Sequence, residues 1–188
     1  MIRLIKNPLF IYLIKFFAIF CVAYYGTIAV EGLAAPGNYY SPLIDRWLDY
    51  PSSLRSGLLN GCKSFLALFG HHTSITDVYH LQMVGGMSVQ LVYTCLGVGV
   101  MSFWLAFVLA NKGSFWKKFC WVMGGMLVIW LINVFRISLV LLANNKQAKI
   151  PFNMDNHDFF TVLAYGAIFL LMFLYDRSFK GKKVIEKG

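Results

Sequence analysis

The feature that most constrains this chain is the apolar run from Leu9 to Val30, which is long enough to cross a lipid bilayer. A spanning helix needs about 20 mostly apolar residues. Hydrophobic residues make up 59% of the chain and charged residues 13%, whereas about a quarter of the residues of a soluble domain are charged. Three more runs resemble the first in length, at about 91–110, 119–142 and 157–175. We therefore expect an all-α integral membrane protein, a bundle of about four transmembrane helices forming one domain over residues 1–188.

Two apolar segments need separate treatment. The first span follows Arg3 and Lys6, as a secretory signal would, but it exceeds the usual apolar core of roughly 7–15 residues in such a signal. We read it as an uncleaved anchor. The stretch 57–69 reaches only about 20 Å as a helix, which is too short for a hydrocarbon core about 30 Å thick. We predict a short interfacial helix there, on the outer side.

The distribution of positive charge predicts the orientation. With four spans, both termini and the loop between the second and third spans lie on one side of the membrane. These segments carry Arg3, Lys6, Lys112, Lys117, Lys118, Arg177, Lys180, Lys182, Lys183 and Lys187. The positive-inside rule makes that side cytoplasmic. The loops 31–90 and 143–156 are then external, and the basic tail 176–188 contacts anionic membrane lipids. The net charge of +9 thus indicates membrane lipids and no nucleic acid.

The longer external loop contains a predicted β-hairpin over about 77–93. Two stretches of alternating polar and apolar residues flank Gly85-Gly86, a pattern typical of two strands joined by a two-residue turn. The second strand leads directly into the second span. Its edge is a candidate for pairing with an extended substrate segment, and a simple capping role is the alternative. Proline at Val89 or Leu91 is expected to distinguish the two.

Three side chains stand out in or beside the apolar spans. Arg136 lies within the third span, where a charge costs at least ~2.5–3.5 kcal/mol on insertion scales. Asn133 precedes it by three residues and shares its helix face. Cys95 is predicted four residues into the second span, followed by Gly97, and His157 begins the last span.

The predicted topology brings Cys95, Arg136 and His157 into one layer about 10 Å deep at the external side. A thiolate in that layer attacks a peptide carbonyl, and an imidazole moves the protons. A permanently charged guanidinium stabilises the oxyanion. Each residue also has a structural explanation: a small buried hydrophobe, an arginine that snorkels to the headgroups, and a helix-start histidine.

The order and spacing of Cys95-Leu96-Gly97, Asn133-x-x-Arg136 and His157 resemble the exosortase/archaeosortase family of prokaryotic membrane proteins, over roughly 57–175. The resemblance implies a cysteine peptidase or transpeptidase at the outer face of the plasma (inner) membrane. Its substrates are secreted proteins with a C-terminal sorting signal, which consists of a short motif, a membrane helix and a basic tail.

The same resemblance implies residue roles: Cys95 is the nucleophile, His157 the proton shuttle and Arg136 the stabiliser, with Asn133 and Gly97 supporting them. It implies no cofactor and no metal. Two departures from the family pattern stand out. Leu96 replaces a small or polar residue found in many members, and the chain is near the minimal length of the family.

Three alternatives remain open from the sequence. A non-catalytic membrane assembly or binding factor would keep the architecture and tolerate Cys95→Ser. A metal transporter is suggested by His71, His72 and His80, although adjacent histidines point in different directions. A disulfide between Cys62 and Cys95, both external, would remove the nucleophile.

Overall fold

The computed structural model describes residues 7–35, 39–146 and 156–185, which are mostly helical. Its elements, in chain order, are helices α1 (Pro8–Ala34), α2 (Pro42–Leu48) and α3 (Tyr50–Leu68), strands β1 (Thr73–Ile75), β2 (His80–Met83) and β3 (Ser88–Gln90), a 3₁₀ helix (Tyr93–Leu96), and helices α4 (Val98–Ala110), α5 (Phe115–Lys146) and α6 (Asn156–Ile185).

Two helices of the described chain are long and apolar enough to cross a membrane, Pro8–Ala34 and Phe115–Asn145. The side chain of Asn7 caps the first of them by accepting a hydrogen bond of 3.0 Å from the Leu9 N–H. No residue in the most apolar window of α1 is buried within the protein. Helix α4 is apolar but shorter. A bundle of four spans therefore stays a prediction.

The second predicted span begins as something other than a helix. The sequence predicts a helix over 91–110, but α4 starts only at Val98. Leu91 still belongs to the hairpin, because its N–H donates to the Tyr79 carbonyl at 2.7 Å. Gly97 has a φ of +76°, a left-handed conformation that glycine adopts without a steric penalty and that interrupts an α-helix. The α-helical part is therefore about 20 Å long.

Helix α3 is longer than the predicted segment 57–69, because it begins at Tyr50. The Asp49 side chain accepts a hydrogen bond of 3.1 Å from the Ser52 N–H, and Pro51 lies in the first turn, where its missing N–H has no cost. One face of the helix is buried: Pro51, Arg55, Leu58, Leu59, Cys62 and Leu66. This face packs against α5 and the sheet.

The predicted hairpin is part of a three-stranded antiparallel sheet in the order β1-β2-β3. Leu81 lies opposite both Ile75 and Val89, and this apolar row packs into the core shared with α3 and α5. The neighbouring row, centred on Gln82, is polar. Alternation along each strand therefore directs one face inward, as the sequence pattern predicts.

The turn between β2 and β3 has three residues, Val84–Gly86, rather than the predicted two. Met83 N–H donates to the Met87 carbonyl at 3.1 Å, and Gly86 N–H donates to the Met83 carbonyl at 2.9 Å. Gly85 has a φ of +72°, which the tight reversal requires and which explains one of the paired glycines.

The buried residues form two clusters. One joins α3, the sheet, the 3₁₀ helix and the C-terminal half of α5. The other joins α4, the N-terminal half of α5 and α6 around Trp104, whose indole N–H donates to the Trp121 carbonyl at 3.1 Å. Gly125 supplies the space for that indole, since a side-chain carbon there would overlap it. The first cluster supports the segment that contains Cys95.

Candidate active site

Cys95 lies on a 3₁₀ turn between the sheet and α4, not four residues into a helix as predicted. Its N–H donates to the Val92 carbonyl at 2.8 Å, and Gly97 ends the turn with its left-handed backbone. The cysteine is half-buried, whereas its neighbour Leu96 is completely buried and anchors the turn in the core. The thiol is therefore held on a short 3₁₀ turn that connects the sheet to α4, and connecting segments of this kind often carry reactive side chains.

Asn133 on α5 holds the turn that carries Cys95 in place. Its side-chain N–H donates a hydrogen bond of 2.8 Å to the Cys95 carbonyl, and the residue is only 6% exposed. A side-chain carbon at Gly97 would come within 3.3 Å of the Asn133 amide nitrogen. Two features thus favour glycine at position 97: the positive φ of its backbone and the close approach of the Asn133 amide. The Cys95-Leu96-Gly97 motif therefore contacts the Asn133-x-x-Arg136 motif through Asn133.

Arg136 lies one turn after Asn133 on the same helix and lines a small cavity together with Cys95. This cavity has a volume of about 20 Å³, and its other walls come from β3 and its extension and from α5. It has room for about one water-sized group. Its lining is mostly apolar, and an electrostatic interaction is stronger in such surroundings than in water.

Arg136 also faces α6. It lines a second cavity of about 330 Å³ with Ala164 and Ala167, which lie seven and ten residues after His157. The backbone of His157 is in the first turn of α6, which begins at Asn156. The His157 side chain lies outside the described part of the structure, so the predicted contact with Cys95 stays a prediction.

The other cysteines occupy different environments. All four are free thiols, so Cys62 and Cys95 are not joined by a disulfide in this structure. Cys62 is completely buried, and its thiol donates to the Val134 carbonyl at 3.6 Å. Burial raises the pKa of the Cys62 thiol to about 11, which makes the thiolate unavailable near neutral pH. Cys21 and Cys120 are exposed on α1 and α5, away from the site.

The sequence did not predict a buried ion pair between Arg55 and Glu31, because both residues were counted as charges of the external loop. Arg55 on α3 is 3% exposed and forms an ion pair of 2.5 Å with Glu31 at the end of α1. Its guanidinium carbon also lies 4.5 Å from the centre of the Tyr79 ring, before β2. The detectable signal was the helical spacing that puts Arg55 on the same face as Leu58 and Leu59.

The hairpin is fastened to α5 by Asn145. The Asn145 side-chain oxygen accepts a hydrogen bond of 2.7 Å from the Met87 N–H, and its amide group donates to the Met87 carbonyl at 3.4 Å. Met87 is the residue immediately before β3. This contact therefore fixes β3 relative to the helix that carries Asn133 and Arg136.

An apolar cleft of about 590 Å³ adjoins the Cys95 turn. Thr94 and Gly97, on either side of Cys95, belong to its wall. The remaining walls come from Tyr93 of the 3₁₀ helix and from α1, α4 and α6, through Phe20, Tyr24, Val98, Gly99, Val100, Phe103, Tyr165, Ile168, Phe169 and Met172. Its volume falls in the range of ligand-binding pockets, and its lining suits an apolar occupant.

The histidines considered for metal binding are dispersed. His80 pairs with the Asp77 carboxylate at 2.8 Å in the loop before β2. The Asp77 carboxylate also accepts the N–H groups of Tyr79 and His80, at 2.7 and 2.9 Å. These hydrogen bonds, the one from Tyr79 first, lower the pKa of Asp77. Among the described residues no group of three His, Cys, Asp or Glu side chains is placed to hold a metal ion.

Comparison with known proteins identifies a family. The sequence model of the family described as transmembrane exosortase matches residues 39–174. This range covers well over half of the chain and includes Cys95, Asn133, Arg136 and His157. No curated protein and no solved structure matches the chain.

Proposed function

Because the chain belongs to the transmembrane exosortase family, we propose that it cleaves the C-terminal sorting signal of secreted proteins with Cys95 as its nucleophile. Members of this family are membrane proteases or transpeptidases that act on secreted proteins carrying such signals. One observation carries the assignment of residues: Cys95 and Arg136 line the same small cavity, while Asn133 binds the Cys95 backbone.

The first step forms a bond between the cysteine and the substrate. His157 accepts the thiol proton, and the Cys95 sulfur attacks the carbonyl carbon of the scissile peptide bond. The carbonyl oxygen becomes an oxyanion, to which Arg136 donates hydrogen bonds from a group that keeps its charge at any physiological pH. A preorganised positive charge of this kind typically contributes the largest share of transition-state stabilisation.

The second step releases the C-terminal fragment. The tetrahedral intermediate collapses, the carbon–nitrogen bond breaks, and His157 returns its proton to the leaving amine. The secreted protein is left as a thioester on Cys95. Attack by water yields a free carboxylate, whereas attack by an acceptor nucleophile yields a transfer product, and either restores the thiol.

The reaction takes place at the outer face of the plasma membrane in this proposal, with both termini in the cytoplasm. The basic segments at residues 112–118 and 177–187 support that orientation. The apolar cleft beside Cys95 is the proposed place for the membrane helix of the sorting signal, because it is bounded by three helices and adjoins the turn that carries the nucleophile. The peptide bond that precedes such a helix would then reach the thiol.

Co-expression with a tagged secreted reporter that ends in a sorting signal tests the proposal. The parent protein should cut the reporter near its C-terminus, and Cys95→Ala, Arg136→Ala and His157→Ala should not. Cys120→Ala is the matched control, because this exposed thiol lies at the opposite end of α5 from Asn145 and should be dispensable. Cleavage by Cys95→Ala would refute the assignment. Wild-type function in Cys95→Ser would favour the non-catalytic assembly factor instead.

A further inference from the structure

We infer that the outer edge of β3 binds the substrate as an added β-strand, so that backbone hydrogen bonds guide the scissile segment to Cys95. This inference rests on the proposed function and adds to it a recognition surface and a ligand class, an extended peptide. Gln90, the last residue of β3, lines the cavity that Cys95 and Arg136 share. The sheet edge and the reactive side chains are therefore continuous.

The register of the sheet determines which backbone groups of β3 face outward. In an antiparallel pair, alternate residues exchange hydrogen bonds with the partner strand, and the residues between them direct their N–H and C=O groups to the other side. Leu91 N–H donates to the Tyr79 carbonyl, and the Met87 carbonyl accepts from Met83 N–H. Because 87, 89 and 91 thus face β2, Ser88 and Gln90 present their backbone groups at the edge.

The composition of this edge favours pairing. Exposed edge strands are usually protected by charged residues or proline, which discourage the addition of another strand. The segment from Met87 to Leu91 contains neither. Ser88 and Gln90 are both exposed residues. The Asn145 contact at Met87 holds the strand in place against α5.

The register also changes which substitutions test the idea. Proline at Val89 or Leu91, as the sequence alone suggests, removes an N–H that the hairpin itself uses, so it tests the fold of the sheet. Proline at Ser88 or Gln90 removes an N–H that faces outward, and edge positions of this kind accept proline. Ser88→Ala and Gln90→Ala keep the N–H, so the difference between proline and alanine at the same position isolates the loss of that N–H.

Two readouts separate this inference from the proposed function. The first is cleavage of the tagged reporter ending in a sorting signal. The second is capture of that reporter by the Cys95→Ala variant carrying a photo-crosslinking residue at Thr94, which measures binding without chemistry. We expect each proline substitution to reduce both readouts by about tenfold or more, the effect of losing one or two backbone hydrogen bonds. At each position the alanine variant should keep both readouts about tenfold or more above those of the proline variant.

The inference is overturned if adding proline does not reduce capture by the Cys95→Ala crosslinking protein. It is also overturned if the alanine variants lose as much capture as the proline variants, or if no variant captures the reporter at all. A photo-crosslink at Ser88 that joins two copies of this chain would also overturn it, by assigning the edge to a homodimer. Proline-sensitive capture with no cleavage by the parent would leave the inference standing and remove the catalytic proposal.

Discussion

The side-chain amide of Asn133 donates a hydrogen bond of 2.8 Å to the backbone carbonyl of Cys95, and so joins two motifs that lie 38 residues apart. This bond gives a physical reason for an asparagine one turn before Arg136. The asparagine positions the turn that carries the thiol, while the arginine lines the cavity beside it. In this proposal Asn133 acts through Cys95 and is a positioning residue.

The first prediction concerns this hydrogen bond. An ionised aspartate in place of Asn133 has no donor for the Cys95 carbonyl, so we expect Asn133→Asp to reduce the cleavage rate by about tenfold or more. The alkylation rate of Cys95 should change in parallel, because the thiol is displaced. Continued protection of the buried Cys62 thiol from alkylation separates this local effect from unfolding. Unchanged alkylation and unchanged cleavage would show that the bond has no functional role.

The second prediction concerns Gly97. We expect Gly97→Ala to destabilise the folded protein by about 1–2 kcal/mol, because alanine is strained at positive φ. Activity should fall further, because the added carbon lies 3.3 Å from the Asn133 amide. Gly124→Ala on α5 is the control, since no atom lies within 4 Å of its added carbon. Thermal unfolding in detergent and reporter cleavage measure the two effects, and equal behaviour of both variants would contradict this account.

The third prediction compares two thiols. Cys62 should resist iodoacetamide at pH 7–8, because it is fully buried and its raised pKa of about 11 leaves almost no thiolate. Cys95 is half-buried beside a cavity and should react. Mass spectrometry of a Cys21→Ser, Cys120→Ser variant reports both sites at once. Faster labelling of Cys62 than of Cys95 would be the opposite of the expected order.

The fourth prediction concerns the ion pair that joins α1 to α3. Glu31→Gln leaves Arg55 buried without its negative partner, which typically costs about 3–5 kcal/mol. We expect a large drop in the midpoint of thermal unfolding, and a smaller additional loss when Arg55→Met is combined with Glu31→Gln. A double-mutant cycle measures the coupling. Additive effects of the two substitutions would mean that the ion pair contributes no coupling energy.

The fifth prediction is a pH dependence of the sheet. Because the pKa of Asp77 is lower in the folded hairpin than in the unfolded chain, the carboxylate stabilises the hairpin above its ordinary value of about 4. That contribution is lost as the pH falls through the lowered pKa. Pepsin digestion between pH 2 and 5 should expose the segment around 77–93 more in the acidic part of this range. Asp77→Asn should show a smaller change, and identical profiles would exclude this carboxylate as the cause.

The sequence by itself determined the membrane class, the existence of a small sheet with one inward face, and the family to which the chain belongs. These features are local: an apolar run, an alternating pattern and short spacings each depend on residues near one another in the chain. The same local reasoning wrongly began the α-helix of the second predicted span at residue 91 instead of Val98, because the pattern of apolar residues does not show that Gly97 takes a left-handed backbone.

Only the tertiary structure decided which side chains meet. It brought Asn133 to the Cys95 carbonyl, put Arg136 and Cys95 on one cavity, and buried Arg55 against Glu31 and Tyr79. It also determined which backbone groups of β3 face outward. Each of these relations depends on how helices and strands pack across tens of residues, and the periodicity of a single segment carries no information about its partner's register or rotation.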